Sequence, residues 1–381
     1  MMVTDEQIQR FEGFLKHDPN NLRLLFDLAQ KYYAVGRLDD ANALIERCIS
    51  LSPEQVQFRH FQGSIFLAMN RGDLAIQSYE WLLEKGIDDD VTRYNLAYAL
   101  FKEQQYDGAI SLLEKVSAPQ VATLAPTLLG RALHHTGNLQ KAISVLQSFL
   151  LLQPDHTEAK GLLSLIYLDA GDNEHAKLYA ESAAVSDPPF CEAYITLASL
   201  AVESQIARDA LSASQKAIEK HAKSGRARLC MGQAHMLDMN ISDAAESFTL
   251  AVQYMPQHIG SWHALGWCLL LLNDVEQARE QFEQALRLDR NFGESHGGLA
   301  VVQVIQNELE EAERSIKRAL RLNPMSFSAL YAQSLLDEKK GNQSAAEKQM
   351  KDIFDAELAG GQNLKQLLAT FAKNNDINKP R

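Results

Sequence analysis

Histidine and cysteine are the residue types in this chain that could bind metals or transfer protons, so their spacing is considered first. The histidines include an adjacent pair, His134 and His135, and a near pair, His258 and His263. Carboxylates at ligand spacing would favour a metal or proton-transfer site at either pair, and neither pair has them. We therefore interpret both pairs as helix-surface histidines and expect no metal site.

The cysteines Cys48, Cys191, Cys230 and Cys268 are far apart and form no CxxC pair. Their spacing predicts neither a zinc ribbon nor a redox pair, and each is interpreted as a small buried side chain. The sequence also has no Gly-rich phosphate loop, no GxSxG, no HExxH and no calcium-binding loop. We expect a protein that is not an enzyme and holds no cofactor, and the unpaired cysteines favour a cytoplasmic location.

The formal net charge of -12 and the pI near 5.4 restrict the expected partners. Binding along a nucleic-acid backbone requires clustered Lys and Arg, so nucleic acid is not an expected partner. The first ten residues lack the apolar core of a signal peptide. The longest apolar stretch, 265–272, is shorter than the roughly 20 residues that cross a bilayer, so membrane insertion is not expected.

Alanine recurs along the chain with a period of 34 residues and one step of 33. The ten positions are Ala41, Ala75, Ala109, Ala142, Ala176, Ala210, Ala244, Ala278, Ala312 and Ala346. Twelve residues before each of them stands Ala, Gly or Ser. Two small residues in fixed register allow two antiparallel helices to cross closely. The period therefore predicts a tandem array of helix pairs.

Turn residues follow the same period. Glycines fall where the first helix of a pair must stop, at Gly36, Gly137, Gly171 and Gly341. Prolines fall just past the second helix, at Pro53, Pro154, Pro188, Pro256 and Pro324. Bulky residues stand three positions after the first small residue and four after the second, on one helical face. The start and stop signals therefore agree with the helix-pair prediction.

The segment from Ala264 to Asp289 resembles the tetratricopeptide repeat. Its signature positions are matched by Trp262, Leu265, Gly266, Ala278, Phe282 and Ala285. The resemblance recurs ten times and implies an all-α fold, a right-handed superhelical α-solenoid of tandem helix-turn-helix repeats. Ser214 and Asp337 replace expected bulky residues in repeats six and ten, so looser packing is expected there.

The two ends and one junction depart from the period. Residues 1–21 are predicted to be an N-terminal partial repeat with a helix from Asp5 to His17, followed by ten repeats over 22–357. Residues 358–381 are predicted to form a C-terminal capping helix and a frayed tail. The short step contains Pro119 and Pro126, and we expect a joint with a changed superhelical pitch at 117–128.

In the tetratricopeptide family the first helix of each hairpin lines an inner groove, and the resemblance implies which positions contact a ligand. The aromatic residues at those positions are Phe26, Tyr33, Tyr94, Tyr98, Phe101, Trp267 and Tyr331. Tyrosine and tryptophan combine a large apolar body with a polar tip, which suits a half-hydrated groove. Aliphatic residues at the same repeat positions could equally pack between hairpins.

Polar side chains cluster in one part of this predicted groove, with Lys102, Arg131, His134 and His135 followed by Asp169 and Glu203. They are either ordinary solvated residues or a polar anchor that fixes the register of a bound peptide. Two binding modes of the family are not expected. The lysines, asparagines and arginine of the carboxylate clamp are absent from every consecutive trio of repeats, and only Asn95 occupies the position of the asparagine ladder.

Together these features predict a non-enzymatic protein–protein interaction scaffold, adaptor or chaperone. A peptide or helix of a protein client would bind in the apolar and aromatic groove. The alternative is a structural assembly subunit that self-associates as a homo-oligomer through the same surface. Both hypotheses use the same residues.

Overall fold

The period of small residues produces a chain of α-helices. The computed structural model describes residues 5–118, 121–185 and 190–355, with the backbone alone at 354 and 355. This part of the chain contains twenty-one helices and no strand. Their bounds are α1 Asp5–His17, α2 Leu22–Ala34, α3 Leu38–Leu51, α4 Val56–Ala68, α5 Gly72–Glu84, α6 Asp90–Lys102, α7 Tyr106–Leu113, α8 Ala125–His135, α9 Leu139–Leu152, α10 Thr157–Asp169, α11 Asn173–Ala184, α12 Cys191–Glu203, α13 Ala207–Lys220, α14 Gly225–Leu237, α15 Ile241–Tyr254, α16 Ile259–Leu271, α17 Val275–Leu288, α18 Gly293–Ile305, α19 Leu309–Leu322, α20 Phe327–Lys339 and α21 Gln343–Asp355.

The chain divides into two compact units, unit 1 from Met1 to Ala193 and unit 2 from Tyr194 to Arg381. In unit 1 the helices α2 to α11 form five hairpins, and each hairpin packs on the next one along the chain. In unit 2 the helices α14 to α21 form four hairpins that pack in the same way. The predicted all-α solenoid of helix pairs is therefore confirmed.

The helix crossings use the small residues that define the period. All ten period alanines are buried, and nine of them have no exposed surface. The residue opposite is often glycine because an aromatic ring of the second helix fills the crossing. A Cβ atom on Gly63 would lie 2.6 Å from the Tyr79 ring, and one on Gly266 would lie 2.7 Å from the Phe282 ring. Both rings are fully buried, so the bulky residues predicted after each alanine are core residues.

The turns within these nine hairpins, and the turn between α12 and α13, each contain one residue with positive φ. Glycine occupies this position in four of these turns, at the residues predicted to stop the first helix. In the other six the residues are Asn70, Gln104, Gln205, Met239, Asn273 and Asn307, with φ between 55° and 64°. The next amide then bonds back to the first helix, as Arg71 N does to Phe66 O at 2.8 Å. The hairpin therefore imposes the left-handed conformation whatever residue is present.

The helix α7 is shorter than the second helix of every other hairpin, with 8 residues against 12 to 14. The chain after it is held by Asp90, whose Oδ2 accepts hydrogen bonds from the amides of Ser117 at 2.8 Å and Ala118 at 2.6 Å. Pro126 lies in the first turn of α8, where its missing N–H is harmless. The changed pitch at 117–128 stays a prediction, and Pro119 lies outside the described residues.

At the N-terminus, α1 covers the predicted helical segment, and Ile8 packs into one apolar cluster with Leu28 and Tyr32. The predicted capping helix and tail, 358–381, lie outside the described residues. The division into a partial repeat, ten repeats and a cap therefore stays a prediction.

Candidate binding surfaces

The first helices of the hairpins in unit 1 carry nine of the residues predicted to line a groove. On α2, the Phe26 ring lies 5.4 Å from the ring of Phe58 and 5.5 Å from that of Phe61. The ring of Tyr33 lies 5.4 Å from Phe61. Both predicted groove residues are half-buried. The structure therefore places them in contact with the next first helix, α4, where they join two hairpins together.

The helix α6 carries four of the predicted groove residues, namely Tyr94, Tyr98, Phe101 and Lys102. Tyr98 is the most exposed of these three aromatic residues, at 37%. Tyr94 and Phe101 are half-buried, and Lys102 is exposed at the end of the helix. Burial raises the pKa of Tyr94, and the neighbouring Tyr98 and Glu158 act in the same direction. The Tyr94 phenol therefore stays a hydrogen-bond donor at neutral pH.

The end of α6 meets α8 through an aromatic contact. The His135 imidazole stacks on the Tyr106 ring, with centroids 4.6 Å apart and planes 3° from parallel. The Phe101 ring lies 5.6 Å from the same imidazole. Burial lowers the pKa of His135, and His134 and Arg131 lower it further. His135 is exposed, as a surface histidine is expected to be, and it is also a neutral aromatic contact at pH 7.

Arg131 on α8 connects three successive first helices. Its guanidinium contacts the carboxylate of Glu158 on α10 at 3.1 Å and that of Glu192 on α12 at 2.5 Å. Burial opposes the charge, but the two carboxylates outweigh it and raise the pKa of Arg131. Nearby, His134 Nε2 lies 2.7 Å from Oδ2 of Asp169 on α10. The polar residues predicted for this region are therefore partly paired with each other.

The sequence interpretation missed both carboxylates that hold Arg131. Glu158 and Glu192 are 34 residues apart and so occupy the same position in two successive repeats. The recurrence of glutamate at one repeat position was the sequence signal that could have identified this pair. We call Tyr94, Tyr98, Phe101, Lys102, Arg131, His134 and His135, with the two glutamates, the α6–α8 surface.

The two groove residues predicted in unit 2 come close together. The Trp267 ring on α16 lies 6.1 Å from the Tyr331 ring on α20. Trp267 Nε1 donates a hydrogen bond to His263 Nε2 at 3.1 Å, so the indole is also fixed by its own helix. Both aromatic residues are half-buried. They therefore pack against each other and leave part of each ring exposed.

A glycine on the intervening helix α18 allows this approach. A Cβ atom on Gly297 would lie 2.4 Å from the backbone nitrogen of Ala329 on α20. Only a residue without a side chain fits at that distance, because the contact is with backbone. The helices α18 and α20 are consequently in direct contact, although both are first helices of their hairpins.

Within the part of the chain that the structure describes, no three His, Cys, Asp or Glu side chains are placed to hold a metal ion together. Within the same residues, no helix is both long enough and apolar enough to span a membrane.

Sequence models of the tetratricopeptide repeat match this chain in both units. The matched residues are 26–90, 62–122, 100–166 and 260–292. These matches include every residue of the α6–α8 surface except Glu192, and nearly all of the helix that carries Trp267. They confirm the resemblance that the sequence period indicated.

Two curated relatives are members of one complex. The chain is 24% identical to the BBSome complex member bbs-4 of Caenorhabditis elegans, over 67% of this chain and 65% of that protein. It is 22% identical to the BBSome complex member BBS4 of Bos taurus, over 76% of this chain and 61% of that protein. The chain therefore spans less than two thirds of the length of either relative.

A solved structure shares the fold. The human IFIT1 dimer with m7Gppp-AAAA superposes with a TM-score of 0.52, over 92% of this chain and 94% of that one. The sequence identity is 16%, so this similarity supports the all-α repeat fold alone.

Proposed function

This chain belongs to the tetratricopeptide repeat family, and we propose that it is a non-enzymatic protein-interaction scaffold that binds a peptide or helix of a partner protein on the α6–α8 surface. The observation that carries the proposal is the exposure of Tyr98 between two half-buried aromatic side chains on one helix. Such residues supply most of the binding energy of protein interfaces, because a partner can bury their remaining apolar area.

The polar part of the α6–α8 surface favours binding of a partner in one orientation. Arg131 is fixed by Glu158 and Glu192, so its guanidinium and both carboxylates are already positioned before a partner arrives. Groups held in place lose little side-chain entropy on binding. The arrangement has one more carboxylate than guanidinium groups, which favours a partner with a basic or amide side chain at this point.

Replacement of one exposed side chain tests the proposal. Tyr98→Ala removes exposed aromatic area from a helix, where alanine is well tolerated. Leu178→Ala is the matched control, because Leu178 is 61% exposed on α11, a second helix of the same unit. We expect Tyr98→Ala to weaken partner capture by about tenfold or more, the usual effect at an interface hot spot.

The measurement uses immobilised wild-type chain and both variants with lysate of the native host, and mass spectrometry quantifies the captured proteins. Partners retained by the wild type and by Leu178→Ala but lost with Tyr98→Ala support the proposal. Equal capture by all three chains would show that binding does not use this surface. Circular-dichroism melts identify any variant that has lost its fold.

The second candidate function is a structural assembly subunit that self-associates through the same surface. The names of the relatives support it, since both are described as members of a complex. Light scattering over a wide range of concentrations separates the two functions. A mass that rises with concentration and is returned to the monomer value by Tyr98→Ala favours self-association, whereas a constant monomer mass favours binding of a different partner.

A cytoplasmic location and an adaptor or chaperone role belong to the same proposal. The location is supported by Cys48, Cys230 and Cys268, which are buried thiols that form no disulfide within the described residues. Free buried thiols are typical of proteins in reducing compartments.

A further inference from the structure

The turn after α17 differs from the equivalent turns of other repeats. Arg290 stands twelve residues after Ala278, at the position where five other repeats have proline. Six residues later, His296 takes the position that Trp262 has in the preceding repeat. Trp262 Nε1 donates to the carbonyl oxygen of Pro256 at 2.8 Å, and His296 Nε2 donates to that of Arg290 at 2.9 Å. The imidazole thus keeps the backbone contact of the indole while filling less space.

A hollow of about 420 Å³ lies beside this imidazole, between α17, α18 and α19 of unit 2. Six side chains line it: Glu283, Leu286, Arg287, Arg290, His296 and Arg318. Three of the six carry a guanidinium group, although the whole chain has a formal net charge of -12. The hollow is therefore a local concentration of positive charge in an acidic protein.

Most of the N–H donors around the hollow are not used inside the protein. Arg287 Nε donates to Gln284 at 2.7 Å, and one nitrogen of Arg318 lies 3.5 Å from the Arg290 carbonyl oxygen. The Arg290 guanidinium has neither a hydrogen bond nor an ion pair with the residues that the structure describes. The carboxylate of the lining residue Glu283 lies 4.0 Å from Arg279, which does not itself line the hollow.

Stabilisation of helix ends explains only part of this cluster. Cations in the last turn of a helix interact favourably with its macrodipole, and Arg287 is in the last turn of α17. Arg290 lies beyond that helix, and Arg318 precedes the last turn of α19. The cost of bringing these like charges together is offset when an anion binds between them.

We propose that this hollow is a binding site for a dianionic phosphate monoester. Guanidinium groups bind phosphate oxygens with two parallel N–H donors, and three such groups are available here. Burial lowers the pKa of His296 and Arg318 acts in the same direction, which outweighs the opposing effect of the hydrogen bond to the Arg290 carbonyl, so the ring is neutral at pH 7. Three guanidinium groups and one carboxylate then leave two positive charges. A phosphate monoester carries about 1.5 to 2 negative charges at pH 7 and balances them, whereas a carboxylate carries one.

Isothermal titration of the full chain tests this site. The probes are inorganic phosphate and the capped peptide Gly-Gly-phosphoserine-Gly-Gly, with its unphosphorylated form and acetate at equal ionic strength as controls. We expect saturable binding of the phosphate probes at one site and none of the control compounds. Arg290→Pro and Arg318→Gln should each weaken binding by about tenfold or more, because each removes a charge-assisted pair.

Arg290→Pro introduces the residue that five other repeats already have at this position, so this variant is expected to fold. Arg314→Gln is the matched control, since Arg314 is on α19 but pairs with Glu311 at 2.6 Å and does not line the hollow. It should bind phosphate like the wild type. Equal affinity of Arg290→Pro and wild type, or displacement of phosphate by acetate, would overturn the proposal.

The two phosphate probes also identify the source of the group. Binding of the phosphopeptide about tenfold tighter than inorganic phosphate assigns a phosphorylated protein, and equal binding assigns a small phosphate compound; both results support the site. The hollow shares no residue with the α6–α8 surface. Tyr98→Ala is therefore expected to leave phosphate binding unchanged, and the two proposals can fail separately.

Discussion

His263, which the sequence interpretation placed on a helix surface, is a half-buried titratable residue that contacts Trp267 and Ser295. Its Nε2 accepts a hydrogen bond from Trp267 Nε1, and its Nδ1 lies 3.3 Å from the hydroxyl of Ser295. Only a neutral imidazole can accept from the indole, so its second nitrogen donates to Ser295. Burial lowers the pKa of His263 from 6.5 to about 4, against an opposing effect of Glu294. The neutral ring is thus part of the packing that fixes Trp267.

This residue makes the stability depend on pH. The unfolded chain binds a proton at His263 near pH 6.5, whereas the folded chain binds it near pH 4. The contribution is therefore fully present above pH 6.5 and is lost as the pH falls towards 4. We expect the free energy of unfolding to fall by about 2 kcal/mol between pH 7 and pH 5 from this group.

Urea unfolding of the wild type and His263→Asn at both pH values measures this contribution. The asparagine does not titrate, so the variant should lose about 2 kcal/mol less than the wild type over this range. The other titratable groups cancel in the comparison. An identical pH dependence of the two chains would contradict the assignment.

Sequence reasoning at the residue scale found positions better than it found contacts. The period located the α6–α8 aromatic residues and Arg131, but the partners of Arg131 come from two later repeats. Contacts between residues 27 and 61 positions apart depend on how successive first helices stack. A single sequence shows this only when, as with Glu158 and Glu192, the same residue type recurs at the same repeat position.

At the scale of the elements, the geometry of the turn inside each hairpin imposes a left-handed backbone conformation, whichever residue type occupies the positive-φ position. Four turns were predictable because they contain glycine, whereas the six with other residues gave no signal. The left-handed conformation costs a residue with a side chain roughly 1–2 kcal/mol. Met239 has φ of 55° and is 59% exposed, so it bears this cost without compensating contacts in a core.

Met239→Gly should therefore stabilise unit 2. Relief of the strain outweighs the greater entropy of glycine in the unfolded chain, and we expect a gain of about 0.5–1 kcal/mol. Met325→Gly is the control, because Met325 is 73% exposed but has ordinary negative φ. Thermal melts should show a higher midpoint for Met239→Gly and a lower one for Met325→Gly. A lower midpoint for both would show that the turn stores no strain.

The contact between α18 and α20 gives a second prediction for an element. Gly297→Ala places a Cβ atom 2.4 Å from Ala329 N and 2.6 Å from the Cβ of Ser328, so the two helices must separate. We expect a loss of at least about 2 kcal/mol in the free energy of unfolding. Gly13→Ala is the matched control, since nothing lies within 4 Å of its added methyl group.

Chemical denaturation of the two variants measures this difference. In α1 the alanine improves helix propensity, so Gly13→Ala should be neutral or stabilising by up to about 1 kcal/mol. If both alanine variants had the same stability as the wild type, the close contact of α18 with α20 would not be present in solution.

For the whole molecule, the period predicted the fold class because one rule applies to every repeat. The small residues, the turns and the buried rings all agree with the same helix pair, and such agreement among local signals is typical of a specified fold. The division between Ala193 and Tyr194 had no such signal, since the period continues through it with Ala176, Ala210 and Ala244 at steps of 34. The division into compact units depends on how densely the helices contact one another, and the regular spacing of alanines carries no information about that density.

In repeat proteins, stability is a sum of terms for each repeat and for its neighbours. A change in one repeat therefore acts most strongly on nearby repeats. The three tryptophans allow this to be measured, because Trp81 is in unit 1 while Trp262 and Trp267 are in unit 2. Gly297→Ala should lower the unfolding midpoint reported by the unit 2 tryptophans more than the midpoint reported by Trp81.

Fluorescence unfolding in two backgrounds provides the measurement. Trp81→Phe leaves only the unit 2 reporters, and the double change Trp262→Phe and Trp267→Phe leaves only Trp81. Each background is compared with and without Gly297→Ala, so each midpoint shift is measured against a reference that carries the same phenylalanine substitutions. Equal shifts of both midpoints would show that the two units unfold in one cooperative transition. A larger shift in unit 2 would show that the two units unfold separately. Under the proposed function, a partner that binds the α6–α8 surface would then stabilise unit 1 directly, because a ligand stabilises the unit that holds it.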